Sequence, residues 1–240
     1  MACAIVRIMD IEAFWALIDD SAVGVADFEE RTEKLTDALS RLPVEELVEF
    51  DLHLERQRER ADTWLMWGAG YLICDSLCSD DGFWYLQTWL IGLGREAFER
   101  IVADPDSLAG VPEIQRLAGR PTQAWGEDEW PDWELLDYAA TEAHERITGE
   151  EQDAFEDLLE QAGSKGQASP DPQGERWDFE DAEENARRLP RISAMFPLSP
   201  IAERDARGKE LFDEFLAESG QTEAEFFAAL TGTERPATPE

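Results

Sequence analysis

The sequence predicts an all-α protein, a helical bundle of about seven to nine helices with a helical C-terminal extension. Nearly every segment spaces its apolar residues at the 3.6-residue period of a helix. No stretch keeps several cycles of strict apolar–polar alternation between turn residues, as a half-buried strand would. The chain has 240 residues, 43% of them hydrophobic and 10% aromatic, enough for one sizeable core with appendages.

Taken in order, Asp10 is placed to cap a helix whose Ile11, Phe14, Trp15 and Ile18 share a stripe. Phe28, Leu35, Leu39 and Leu42 mark a second helix, with Glu29, Glu30, Glu33 and Lys34 on its solvent face. Pro43 sits where a first-turn proline belongs and opens a third helix through Val44, Leu47, Phe50 and Leu54, whose far end, Glu55 to Arg60, is all polar. From Trp64 to Ile73 the helix is apolar on nearly every side, the pattern of a segment buried among neighbours. Asp81 to Gly92 and Arg95 to Ala103 follow, then the turn Asp104-Pro105-Asp106-Ser107, where Pro105 biases its predecessor towards an extended conformation.

A loop rich in Gly, Pro and acids runs from Gly119 to Asp132. Trp133, Leu136, Ala140, His144 and Ile147 fit a helix ended near Gly149, and another runs from about Glu150 to Ala162. These segments make residues 10–162 the expected main domain. Residues 163–174 hold Gly, Ser, Gln and Pro with almost no apolar side chain, and are expected to be a linker. Residues 175–231 are the expected helical extension: Trp177 to Phe196 joins an acidic run to a tight basic cluster, and two short amphipathic helices lie near Ala202–Ser219 and Thr222–Leu230. The last residues, from Thr231, are expected to fray. No internal repeat of fixed period is present.

A formal charge of −34 argues against a nucleic-acid surface, which needs clustered Lys and Arg, and equally against an anionic membrane. It suits a basic protein partner or a solvated acidic surface. The longest apolar run, Trp64 to Cys74, is about half the roughly 20 residues that span a bilayer. The first residues lack both the basic start and the apolar centre of a secretory signal, so a cytoplasmic protein is expected. Three cysteines, Cys3, Cys74 and Cys78, cannot pair completely and fit a reducing compartment. Cys74 and Cys78 are four apart and could share a helix face towards a metal, but with only His53 and His144 as further non-carboxylate ligands they read as small apolar thiols, with no metal site and no cofactor implied. Both histidines read as surface or hydrogen-bonded helical residues.

The stretch Ser79-Asp80-Asp81-Gly82 precedes an apolar run and suits a helix start, where Ser or Asp accepts from free amides and negative charge meets the positive end of the macrodipole. Gly82 inside that helix points to a close backbone approach or a bend. Alternatively Asp80 and Asp81 stand at the mouth of an aromatic pocket walled by Trp64, Trp67, Trp84 and Tyr85, holding a hard cation or acting as acid and base. Capping is the preferred reading, since adjacent residues at one helix start point in different directions. Arg187, Arg188 and Arg191 are candidates for gripping an anion, against the simpler reading that they pair with acids of this chain.

The runs Ala61-Asp62-Thr63-Trp64-Leu65-Met66-Trp67-Gly68-Ala69-Gly70-Tyr71-Leu72-Ile73, Cys78-Ser79-Asp80-Asp81-Gly82-Phe83, Trp89-Leu90-Ile91 and Asp104-Pro105-Asp106-Ser107-Leu108-Ala109, with the opening Asp10-Ile11-Glu12-Ala13-Phe14-Trp15, resemble the DUF4240 family, bacterial proteins of unknown function common in actinobacteria. The similarity covers roughly residues 10–150. Trp177-Asp178-Phe179 and Arg188-Leu189-Pro190-Arg191 are similar to the C-terminal part of longer members. Cys74-Asp75-Ser76-Leu77 departs from the pattern, where members often carry glycines. No established activity comes with the resemblance, so no residue inherits a catalytic role. Neither a phosphate-binding Gly-rich loop with Lys, a Gly-x-Ser-x-Gly elbow nor a His-Glu-x-x-His pair occurs. The expected function is a non-enzymatic interaction or scaffold module. The alternative is an enzyme or small-ligand or metal binder using Asp80 and Asp81 beside the aromatic pocket, with Asp62 and Asp75 as further candidates, although these two flank the apolar helix about 20 Å apart and so do not suit a single four-carboxylate site.

Overall fold

The computed structural model describes residues 9–166 and 171–230. Cys3, the middle of the expected linker and the expected frayed end from Thr231 lie outside them. The fold is all-α: no strand occurs among the described residues, only an isolated bridge between Thr63 and Gln173. Two compact units divide the chain, residues 1–198 and residues 199–240.

In the first unit, α1 (Ile11–Ser21), α2 (Phe28–Leu39) and α3 (Val44–Ala61) lead into α4 (Trp64–Ile73) and α5 (Asp80–Gly92). Next come α6 (Arg95–Ala103), α7 (Pro112–Leu117), α8 (Ala139–Thr148), α9 (Gln152–Ala162), α10 (Ala182–Arg188) and α11 (Pro190–Met195). The second unit holds α12 (Ile201–Ser219) and α13 (Glu223–Leu230). This count exceeds the seven to nine expected. The surplus is short helices such as α7 and α11, each opened by a proline that from sequence marks a turn. Trp133 to Ile147 is likewise two pieces, a 3₁₀ stretch over Glu134–Tyr138 running into α8.

Side-chain caps fix several starts. Asp10 accepts from Ala13 N, Asp27 from Glu30 N and Thr63 from Met66 N. The core forms where the apolar stripes meet: Phe14 packs on Phe50 at 5.1 Å and Trp15 on Phe98 at 5.4 Å between ring centroids. Almost all of α5 from Phe83 to Gly92 faces inward.

Trp133, 1% exposed, locks α2 to α5. Its Nε1 donates to Thr32 Oγ1 at 2.8 Å, Thr88 Oγ1 donates to its carbonyl at 2.9 Å, and the Arg31 guanidinium lies 4.3 Å over its ring. The ring passes so close to Gly92 that a Cβ there would meet it at 2.8 Å.

Residues 175–198 belong to this same unit. Trp177 sits against α4, where a Cβ on Gly68 would meet its ring at 2.4 Å, and its Nε1 donates to Asn185 Oδ1. Asp106, 5% exposed, caps α11 from across the fold by accepting from the backbone amides of Arg191 and Ile192. The described ends of the expected linker are also tied down. Gln173 N donates to Asp62 O, and Trp64 N donates to Gln173 O.

In the second unit, left-handed Gly220 (φ 67°) ends α12, Thr222 and Glu225 form a reciprocal cap on α13, and Phe212 meets Phe226 at 5.2 Å. No helix among the described residues is long and apolar enough to cross a membrane.

Candidate functional site

Helix α3 has two working faces. Leu47, Phe50 and Leu54 feed the core, while Asp51, Glu55 and Arg58, with Asp62 at the C-cap, recur at helical spacing on the adjoining side. That second face is the floor of a cavity of about 960 Å³, within the range of small-molecule sites. Trp84 and Gln87 of α5 and Asp137 and Tyr138 of the 3₁₀ stretch close one side. Glu156, Leu159 and Glu160 of α9 form the opposite wall, and Lys165, Asp171 and Gln173 border it.

At the floor Arg58, 8% exposed, lies 3.7 Å over the Trp84 ring and donates through Nη1 to Asp137 Oδ1 at 2.8 Å. Its Nε and Nη2 are buried without a hydrogen-bond partner among the described residues, as are Gln87 Oε1, Asp137 Oδ2 and Asp62 Oδ1. Gln87 is 1% exposed. A buried polar atom left unpaired costs about 1–3 kcal/mol, and five such atoms belong to residues that line this one cavity.

The electrostatics agree. Burial, reinforced by Asp137 and Glu55 and opposed by Arg58, pushes the Asp51 carboxyl up to about 7. Burial also raises Asp137, to about 6, with Arg58 holding it down and Glu134 pushing it further up. Asp62 is raised, again chiefly by burial, and burial lowers Arg58. Two carboxyl groups that titrate near neutrality beside a buried cation are the kind of cluster that marks functional sites. Eight carboxylates face two cations around the cavity, a formal −6. Lys165 compensates at the rim, where its backbone amide donates to Glu55 Oε1 at 3.0 Å and its ammonium to Glu59.

Of the site candidates named from sequence, Trp84 and Asp62 line this cavity. Asp80 and Asp81 are exposed in the first turn of α5, where Ser79 is the cap and accepts from Gly82 N at 3.0 Å. Trp64 lies under Arg176 at 4.7 Å, and Trp67 packs on Phe83 at 4.4 Å. Tyr85 donates to Glu134 Oε1 at 2.9 Å, and burial followed by that bond raises its phenol. Asp80, Asp81, Trp64, Trp67 and Tyr85 do not line this cavity.

Arg187 pairs with Glu184, Arg188 with Glu184 and Glu175, and Arg191 with Asp104 and Asp106. His53 meets Met9 O at 3.1 Å, and His144 is buried against Phe155. Cys74 and Cys78 are free thiols, and Cys78 followed by burial pushes the Cys74 thiol up. No three His, Cys, Asp or Glu side chains among the described residues converge as a metal site.

Sequence reasoning passed over Asp51, Arg58, Gln87 and Asp137. The available signal was an arginine set between acids at i, i+4, i+7 and i+11 on a helix whose other face is apolar.

Fold and site together define an all-α protein with an acid-lined cleft built on α3. The chain belongs to the DUF4240 family of proteins of unknown function, which matches residues 9–146. No curated protein and no solved structure matches it. Asp51, Arg58, Trp84, Gln87 and Asp137 fall inside the matched region, whereas the wall from α9 and the rim residues Lys165, Asp171 and Gln173 fall outside it.

Proposed function

We propose that this protein is a ligand-binding module whose cleft takes a small polar organic molecule. The observation that carries this is the floor itself: Gln87 and Arg58, both more than nine-tenths buried, keep polar atoms unpaired beside a cavity of about 960 Å³. Binding would supply hydrogen bonds to unpaired acceptors such as Gln87 Oε1 and so offset part of the cost of leaving them unmade. A second reading, docking of a basic protein partner without catalysis, draws support from the formal −34 of the chain. The odd cysteine count suits the reducing cytoplasm as its setting.

A thermal-shift screen of small metabolites against wild type and Gln87→Leu tests the cleft. Replacing a buried amide whose oxygen is unpaired by an apolar group of similar size is expected to leave stability unchanged or raise it by about 1 kcal/mol. The same change should remove the ligand-induced shift. A Gln87→Leu protein that keeps every ligand response contradicts the reading.

A further inference from the structure

Resting on the reading of the cleft as a ligand site, we propose that its ligand is an aliphatic oligoamine, a flexible chain carrying two or more ammonium groups. The unpaired acceptors set the first requirement. Gln87 Oε1, Asp137 Oδ2 and Asp62 Oδ1 need donors, and an ammonium offers three donors with no acceptor to strand. Arg58 Nε and Nη2 are themselves donors that an amine cannot serve, and the guanidinium keeps only its face-on contact with Trp84 at 3.7 Å and its carboxylate partner Asp137.

Charge sets the second requirement. With eight carboxylates against two cations, an anionic ligand would add to an existing repulsion, whereas a cation relieves it. A hard metal ion needs six or more oxygens at about 2.3–2.6 Å, and the acids here are strung out instead of converging. From Asp51 to Asp62 is eleven residues of α3, about 16 Å along the axis at 1.5 Å per residue. A linear molecule with separated charges matches such a track better than a point charge does.

Shape is the third. Leu54, Leu159, Trp84 and Tyr138 interrupt the acids with apolar surface on which methylene groups can lie. The chain already shows the contact once, since the ammonium of Lys165 rests on Glu59 at the rim. An incoming oligoamine would extend this contact inward.

Calorimetric titration with spermidine, at an ionic strength near 0.15 M that screens surface charge, tests the proposal on four proteins: wild type, Asp51→Asn, Asp62→Asn, and a control carrying Glu127→Gln and Asp128→Asn. Glu127 and Asp128 are exposed acids that do not line the cleft. Each cleft variant should weaken spermidine about tenfold or more, and the control by less than about twofold. Saturable 1:1 binding that 1,4-diaminobutane only partly reproduces is also expected.

Equal losses in cleft and control variants would reduce the effect to counterion condensation and overturn the proposal. So would displacement of spermidine by Mg²⁺ at equal charge, or tighter binding of a lysine-rich peptide at equal charge. If spermidine fails while neutral or anionic compounds give shifts that depend on Gln87, the amine is wrong and the cleft reading stands. If nothing shifts the wild type, both fall.

Discussion

Two arginines of this fold lie over tryptophan rings, and the pair differs in what surrounds it. Arg31, stacked on Trp133, spends its donors inside the protein: Nε reaches Ser21 Oγ at 3.0 Å and Nη2 reaches Ile18 O at 3.1 Å. Arg58, stacked on Trp84, has one carboxylate bond and two buried nitrogens without a partner among the described residues. Both guanidinium groups are buried, and burial lowers the pKa of each, Arg31 to about 10. The same chemical motif is therefore structural in one place and incomplete in the other. A closed polar network specifies a unique core, whereas an open one costs stability unless something completes it. The difference separates scaffold from site without reference to any catalytic motif.

The sharpest way to break the comparison is at the closed stack. Trp133→Ala removes a fully buried ring and its hydrogen bond to Thr32, and should cost about 3–5 kcal/mol in urea unfolding. Next in size is the seat of Trp177 on α4. Gly68→Ala forces a methyl group into the ring and should cost about 1–3 kcal/mol, with a blue- or red-shifted tryptophan emission reporting the displaced indole. The smallest effect belongs to the open stack. Trp84 is half-buried, so Trp84→Ala should cost about 1–2 kcal/mol in the same unfolding assay. If Trp84→Ala matched Trp133→Ala, the cleft floor would be ordinary core and the contrast would vanish.

Much of this architecture was legible because local rules decided it. The bounds Trp64–Ile73 and Arg95–Ala103, the Asp10 cap and the left-handed Gly149 follow from periodicity, capping and a glycine stop. The cleft was not legible, because a polar helix face has the same residue pattern whether it meets water or a cavity. Asp51 and Asp137 are 86 positions apart, and only packing of α3 against the 3₁₀ stretch Glu134–Tyr138 reveals that their side chains share one space. Adjacency drew attention to Asp80 and Asp81, but adjacency along a helix start places neighbours on different sides. Asp104-Pro105-Asp106 read as a turn, and its remote capping of α11 depends on a tertiary contact that no local pattern contains.

The cleft floor is kept at a cost in stability. For an acid raised in the folded state, the native protein holds its proton more tightly than the unfolded chain. Stability is then full below the unfolded value of 3.8 and is lost as pH rises through about 7. Asp51→Asn mimics the protonated form and escapes this loss. The measurement is the unfolding free energy of Asp51→Asn minus that of wild type, from denaturant titrations at pH 4 and pH 8. The account predicts a difference near zero at pH 4, growing to a gain on the order of 2–4 kcal/mol for the variant at pH 8. A variant that is less stable than wild type at pH 8 would contradict it.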